Sequence, residues 1–341
     1  MRKMSDSNPH FQFGYGMIRI LACIMVISHH IIGALYADQT NLNYQKILLV
    51  LDNLFMVNNG LFFMMSGKFA LERKVESLKE YYARRFTKIV LPFLLVAFIQ
   101  FVIQSTNGLT INSVSIYFSK ILHGEIYDWF VYAVIGFYLI APFFGKMLQQ
   151  LNQTERMILL ILLLGGILIN TLNHIVGPFI FMNGNPFIEN LVFFMIGYLI
   201  DNIVFLRAKR AIIICLGCLC AVVSCMEILF TQTSNSLLYG PCITRIFMCC
   251  GFYVFWGWMD CEKVTKSRIV YKISNLTFYI YLFHGMTQGI LLSGMRDDEF
   301  NIFVKVFVIS VFTFLLSGLM AWILDLVIKT IHKGYRLVKR V

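Results

Sequence analysis

The sequence is poor in charged residues: Asp, Glu, Lys and Arg make up 14% of its 341 residues, whereas a soluble protein carries about 25%. Apolar residues amount to 58%, and the stretches 158–169 and 211–224 contain no charged side chain. This scarcity of charge excludes an ordinary soluble protein. It predicts an all-α, polytopic membrane protein.

Several signatures of soluble enzymes are also absent. The sequence has no P-loop, no G-x-G-x-x-G after a strand, and no H-E-x-x-H or comparable metal set, which disfavours a nucleotide hydrolase or a metal hydrolase. Cys215 and Cys218 have the spacing of a redox or metal pair, but they lie in an uninterrupted apolar stretch, where cysteine packs as a small hydrophobe. We therefore expect neither a bound metal nor a disulfide framework.

Ten apolar stretches are long enough to cross a bilayer. The loops between them are short, so residues 1–341 are expected to form a single membrane domain. The first stretch is too long for the core of a signal peptide and no small-x-small site follows it, which indicates a permanent span. The ten stretches cover about 13–36, 47–70, 88–105, 127–146, 157–175, 187–205, 211–231, 240–260, 272–293 and 302–328.

The net charge of +11 is distributed unequally between the two sides of these spans. When the loops are assigned to alternate sides, most of the 29 Lys and Arg residues fall on one side, and only Lys46, Lys120 and Arg296 fall on the other. The positive-inside rule places the basic side, and with it both termini, in the cytoplasm. Because the basic residues are spread over many loops, they do not form a nucleic-acid-binding surface.

The first span contains two residues that are costly in hydrocarbon, Arg19 and His30. Eleven residues correspond to about three helical turns plus roughly 20°, so both side chains project from one face, about 16 Å apart along the axis. The neighbouring His29 lies roughly 80° round the helix and would face elsewhere. An intramembrane cation and an imidazole on one face indicate a functional site. The alternative is that Arg19 reaches the headgroups and His30 makes a helix contact.

A basic segment, residues 72–88, separates the second and third spans. Its second half has a helical pattern that is expected to place Tyr81, Arg84, Arg85 and Lys88 on one side. Such a cluster suits either anionic lipid headgroups or a bound phosphate group, and composition does not separate these alternatives.

Five segments, in order along the chain, resemble the membrane acyltransferase-3 family. Two departures from the family pattern stand out: Lys88 replaces the second Arg of R-x-x-R, which removes a bidentate fork, and Tyr127 stands where short members often have His. The segments are Arg19-x₁₀-His30, LFFMMSGKF (61–69), RFTKIVLPF (85–93), DWFVYAVIGFYLIAPFF (128–144) and SNLTFYIYLFHG (274–285).

The resemblance implies a reaction. The donor would be acyl-CoA, usually acetyl-CoA, presented from the cytoplasm, and the acceptor a hydroxyl, less often an amine, of a glycan or lipid-linked sugar outside the cell membrane. His30 would act as the base, since an imidazole has an ordinary pKa of about 6.5; a covalent acyl-His30 intermediate is the alternative. Arg19 would either position the donor or stabilise charge on the acyl oxygen, and Arg84, Arg85 and Lys88 would bind the donor.

Four further residues are possible cavity or acceptor-binding residues: His284, Tyr281, Trp129 and Arg245. The alternatives are an interhelical hydrogen bond for His284, an ordinary span-end position for Arg245 and a position at the membrane interface for Trp129. Ser66 and Gly67 are expected to allow close helix packing. The main competing function is a transporter or flippase of polysaccharide or lipid-linked sugar, but the sequence shows no convincing similarity between its two halves.

Overall fold

A computed structural model describes residues 12–105, 113–124, 129–176, 186–231, 242–258, 267–294 and 301–338. These residues are almost entirely helical and contain no strand, which confirms the predicted all-α class. A five-residue π-helical segment, Phe86–Val90, joins α4 to α5. The helices are α1 (Phe13–Ala37), α2 (Leu42–Phe55), α3 (Asn58–Leu71), α4 (Leu78–Arg85), α5 (Leu91–Gln104), α6 (Ser113–Leu122), α7 (Trp129–Gln150), α8 (Gln153–Val176), α9 (Pro186–Asn202), α10 (Val204–Ala208), α11 (Arg210–Thr231), α12 (Ile243–Trp258), α13 (Arg268–Gly294) and α14 (Ile302–Val338).

The helices confirm a multi-pass membrane protein. Within the described residues, seven helical segments are long and apolar enough to cross a membrane: α1, α2 with α3, α4 with α5, α7, α8, α11 and α14. The shorter apolar helices α9 and α12 and the more polar α13 run between the same two ends of the bundle. For example, α13 lies parallel to α1, since Cys23 contacts the carbonyl of Thr277 and His30 lies beside His284.

One end of the bundle carries the basic segments, and we call it the basic end. The start of α1 and the end of α3 meet there, because the Nζ of Lys68 lies 5.6 Å from the ring centroid of Tyr15. The ends of α7 and α9 also meet there, where Gln149 donates to the carbonyl of Leu71 and Arg156 donates to the carbonyl of Asn202. Helices that the positive-inside rule assigned to one side therefore do end together.

Two local features were not predicted. The second span is broken at Met56 and Val57, between α2 and α3, and the side chain of Arg245 donates to the buried carbonyl of Asn53 at 2.7 Å. An additional helix, α6, lies in what the sequence suggested was a loop, and the hydroxyl of Tyr117 ties it to the carbonyl of Leu94 at 2.7 Å.

Helices α3 and α9 approach each other closely enough that their backbones touch. A Cβ atom added to Gly67 would lie 1.7 Å from the carbonyl oxygen of Phe194, and one added to Gly197 would lie 2.0 Å from that of Met64. Two glycines one on each helix therefore set the separation, as is common for small residues at membrane helix interfaces. The close approach agrees with the prediction made for Gly67.

Replacing Gly67 by alanine is expected to force α3 and α9 apart and to lower the free energy of unfolding by about 3 kcal/mol, the upper part of the range for overpacked sites. Gly165→Ala on α8 is the matched control, because no atom lies within 4 Å of its added Cβ, and we expect it to be neutral or stabilising. The measurement is the thermal midpoint in detergent. Equal midpoints for the two variants would contradict the tight-packing interpretation.

Candidate active site

A cavity of about 460 Å³ extends into the bundle from the basic end, between α1, α3, α7, α13, α14 and the π-helical segment. Its outer part is charged and its inner part is apolar. The charged residues on its wall are Arg19, Arg85, Lys88, Asp325 and Lys329. With four cations and one carboxylate on its wall, the cavity is suited to an anionic ligand that has an apolar end.

The π-helical segment brings Arg85 and Lys88 to the cavity wall together. The guanidinium carbon of Arg85 lies 4.2 Å from the ring centroid of Tyr138 and 5.2 Å from that of Tyr81. The Tyr81 hydroxyl donates to the carbonyl of Tyr138 at 3.2 Å, so α4 and α7 are fixed to each other at this point. Single π-helical turns are frequent at functional sites, where they redirect side chains.

Arg84 does not line this cavity with Arg85 and Lys88. Arg84 lies on the surface, where its guanidinium pairs with the carboxylate of Glu80 at 2.9 Å, and it is not among the residues that line the cavity. The physical reason is helical geometry, since successive residues project about 100° apart and two neighbours cannot share a narrow face.

Arg19 also lines the cavity, on the wall formed by α1. Its guanidinium carbon lies 4.9 Å from the ring centroid of Phe69 on α3. The ring face holds the cation by a cation–π contact and directs it into the cavity rather than into lipid. Arg19 therefore lies on the same cavity wall as Arg85 and Lys88, which fits the donor-positioning role, one of its two roles that the sequence left open.

Three aromatic rings close the inner end of the cavity, and we call them the three-ring cluster: Phe62, Phe130 and Tyr281. The ring centroids of Phe130 and Tyr281 are 4.7 Å apart, those of Phe62 and Phe130 are 5.9 Å apart, and those of Phe62 and Tyr281 are 6.5 Å apart. All three line the cavity. Phe130 and Tyr281 are buried and Phe62 is half-buried.

A pair of histidines lies immediately behind the three-ring cluster. The ring of His284 lies 5.0 Å from that of Tyr281 and 5.2 Å from that of His30. The Nδ1 of His284 donates to the carbonyl of Tyr281, so the neutral ring carries its lone pair on Nε2. His30 and His284 are not among the residues that line the cavity itself. The sequence did not predict this separation.

His29 faces α2, where its Nδ1 lies 2.6 Å from the carboxylate of Asp52. Its ring is 5.2 Å from that of His30, so Asp52, His29, His30 and His284 form a continuous row. A carboxylate that accepts a hydrogen bond from the Nδ1–H of an imidazole fixes the orientation of the ring. Sequence reasoning missed this pair because the two residues lie on different helices.

Two other predicted residues lie away from the cavity. Trp129 is 38% exposed at the start of α7, with its ring 6.0 Å from that of Phe63. Arg245 is buried at the break between α2 and α3, where it satisfies the carbonyl of Asn53. Tyr127, the other departure from the family pattern, lies outside the described residues.

Asp325 and Lys329 are cavity residues that sequence reasoning missed. Their side chains form an ion pair with an N–O distance of 2.5 Å on α14. The sequence does contain a signal for Asp325, which is the single Asp or Glu in the apolar stretch 302–328. Intramembrane carboxylates indicate functional sites. Among the described residues, no group of three or more His, Cys, Asp or Glu side chains is placed to hold a metal ion.

Comparison with known proteins gives one match. The model of a protein family, acyltransferase-3, described as an acyltransferase domain, matches residues 14–322. Searches of curated proteins and of solved structures found no match. The matched region contains every residue of the cavity wall from Arg19 to Tyr281, and it ends at residue 322, shortly before Asp325 and Lys329.

Proposed function

Because the chain belongs to the acyltransferase-3 family and is a multi-pass membrane acyltransferase, we propose that it moves an acyl group, with acetyl the leading candidate, from acyl-CoA to a sugar hydroxyl. The donor is cytoplasmic. The acceptor is a glycan or lipid-linked sugar on the opposite side of the cell membrane. The observation that carries this proposal is a cation-lined cavity that runs from the basic end to the three-ring cluster, with a pair of histidines immediately behind that cluster.

The cavity matches the chemistry of acyl-CoA along its length. The phosphate groups of the donor pair with the cations Arg19, Arg85, Lys88 and Lys329, since charged hydrogen bonds to phosphate are among the strongest in proteins. The acyl end of the donor is apolar and occupies the inner part, where Met65 and Val134 line the wall beside the three-ring cluster. The positive-inside rule places the mouth in the cytoplasm, where acyl-CoA is made available.

The histidine pair supplies the proton transfers that the reaction requires. His30 removes the proton from the acceptor hydroxyl, and the oxygen attacks the carbonyl carbon of the thioester. The carbon–sulfur bond then breaks, and the CoA thiolate takes up a proton. That proton passes from His30 to Nε2 of His284, which lies next to Tyr281 on the donor side, so no net proton is gained or lost.

Arg19 is assigned to donor binding rather than to the acyl oxygen. It lies about 16 Å from His30 along the axis of α1, and it lines the cavity whereas His30 does not. A group at that distance cannot stabilise charge on a carbonyl that His30 is activating. On the other side of His30, the proposal assigns acceptor binding to the paired side chains of His29 and Asp52.

The function is tested with purified protein in liposomes. Acetyl-CoA carrying a radiolabelled acetyl group is supplied on the side of the basic end, and a glycan acceptor is supplied on the other side. We expect covalent label in the glycan. Movement of unmodified glycan across the membrane, with no label transferred, would instead indicate a transporter and would refute the proposal.

Neutralising the cavity cations is expected to weaken donor binding. Arg85→Gln and Lys88→Gln should each raise KM for acetyl-CoA by about tenfold, since one charged hydrogen bond contributes about 1.5–3 kcal/mol. Arg84→Gln is the matched control, because Arg84 neighbours Arg85 but pairs with Glu80 on the surface, and its KM should not change. An equal rise in all three variants would show that only the general surface charge matters.

A further inference from the structure

The three-ring cluster lies between the donor cavity and the histidine pair. Helices α1 and α13 run parallel, with Cys23 beside Thr277 and His30 beside His284. Tyr281 precedes His284 by three residues, about 4.5 Å along the helix axis. A donor that enters from the basic end therefore meets the rings before it meets the histidines.

The cluster is held firmly in place by a second layer of rings. Phe63 packs on Phe130 with ring centroids 4.9 Å apart, and on Phe137 with centroids 5.1 Å apart. Phe137 in turn packs on Phe194 of α9 at 5.1 Å. Phe63 and Phe137 are buried but are not among the residues that line the cavity. Because close-packed interiors resist displacement, the end wall of the cavity has a defined position.

We propose that the three-ring cluster sets the length of the acyl chain that the enzyme accepts. This inference rests on the proposed acyl-CoA reaction and adds a specificity determinant to it. When the thioester carbonyl lies against Tyr281, next to His284, the methyl of an acetyl group fits beside the rings of Phe62 and Phe130. Each further methylene must displace a ring of Phe62 or Phe130, and a single methylene in an apolar pocket changes selection by about 10- to 200-fold.

The test compares four variants that carry the same substitution. Phe62→Leu and Phe130→Leu shorten the end wall, while Phe63→Leu and Phe137→Leu remove a ring from the same two helices without touching the cavity. Purified wild type and variants are assayed with acetyl-, butyryl-, hexanoyl- and octanoyl-CoA. We expect the ratio of kcat/KM for hexanoyl-CoA to that for acetyl-CoA to rise by at least about tenfold in the two cavity variants and to change much less in the two controls, whose rings support the wall without lining the cavity.

Two outcomes overturn the inference. One is an unchanged chain-length profile in Phe62→Leu and Phe130→Leu, and the other is an equal shift in all four variants. Phe62 is the half-buried member of the cluster, so Phe62→Leu decides the matter if Phe130→Leu does not fold. Val134→Phe provides an independent check, because it narrows the inner cavity and should reduce transfer from butyryl-CoA more than from acetyl-CoA.

The failure of this inference is distinguishable from failure of the proposed function. If wild type consumes none of the four acyl-CoA donors, the reaction itself is wrong and the inference falls with it. If wild type transfers acetyl groups and its chain-length profile is the same in Phe62→Leu and Phe130→Leu, the reaction stands and only the role assigned to the three rings is wrong.

Discussion

Replacing His30 by glutamine is expected to lower kcat for acyl transfer by about 10³-fold, within the range that general acid–base catalysis contributes. Glutamine keeps much of the size and polarity of the side chain but cannot accept a proton at neutral pH. KM for acyl-CoA should be unchanged, because His30 lies behind the three-ring cluster and does not line the donor cavity. The measurement is steady-state transfer of labelled acetyl groups to a glycan acceptor.

The adjacent histidine provides the control for this prediction. His29→Gln removes an imidazole one residue away, which pairs with Asp52 rather than with His284. If His29 binds the acceptor, its loss should raise KM for the acceptor more than it lowers kcat. A larger fall in kcat for His29→Gln than for His30→Gln would move the base to His29 and would overturn the assignment of His30.

The helical topology could be predicted from the sequence because its signals are local. A run of about 20 apolar residues indicates a span, and the Lys and Arg content of a loop indicates the side of the membrane on which it lies. The break between α2 and α3 has a different origin. The break falls at Met56 and Val57, so neither Gly nor Pro causes it. It is accommodated by Arg245, almost 200 residues away, whose side chain donates to the carbonyl of Asn53. A tertiary cause of this kind leaves no local pattern.

Family motifs in the sequence named some residues of the candidate site. Contacts between residues on different helices could not be predicted in this way. The motifs assigned Arg85 and Lys88 to the donor and left the role of Arg19 open, and the structure places all three on one cavity wall. The motifs did not place Phe62 or Phe130 between the donor and the histidines. Aromatic residues are abundant in this chain, with 32 Phe and 16 Tyr, so an individual ring carries no sequence signal of function.

A buried ionic cluster near the basic end joins four helices. The Nζ of Lys68 on α3 lies 3.0 Å from Oδ2 of Asp201 on α9, and the same oxygen accepts hydrogen bonds from the hydroxyls of Tyr15 on α1 and Tyr253 on α12. The lysine side chain is 10% exposed and the aspartate side chain 16%. Lys68 also contacts Glu72 at 2.6 Å. One carboxylate oxygen therefore connects helices that are far apart in sequence.

Replacing Lys68 by methionine is expected to lower the free energy of unfolding by about 4 kcal/mol, because Asp201 would remain buried with its charge uncompensated. The double variant Lys68→Met/Asp201→Leu should recover most of the loss, since it removes both charges and leaves Tyr15 and Tyr253 adjacent, with ring centroids 5.6 Å apart.

Arg84→Met is the control: its pair with Glu80 is exposed, and its loss should cost at most about 1 kcal/mol. Thermal midpoints in detergent measure all three. A double variant that is as unstable as the sum of its two single changes would show that the two charges are not coupled, and the cluster would then be a set of independent contacts.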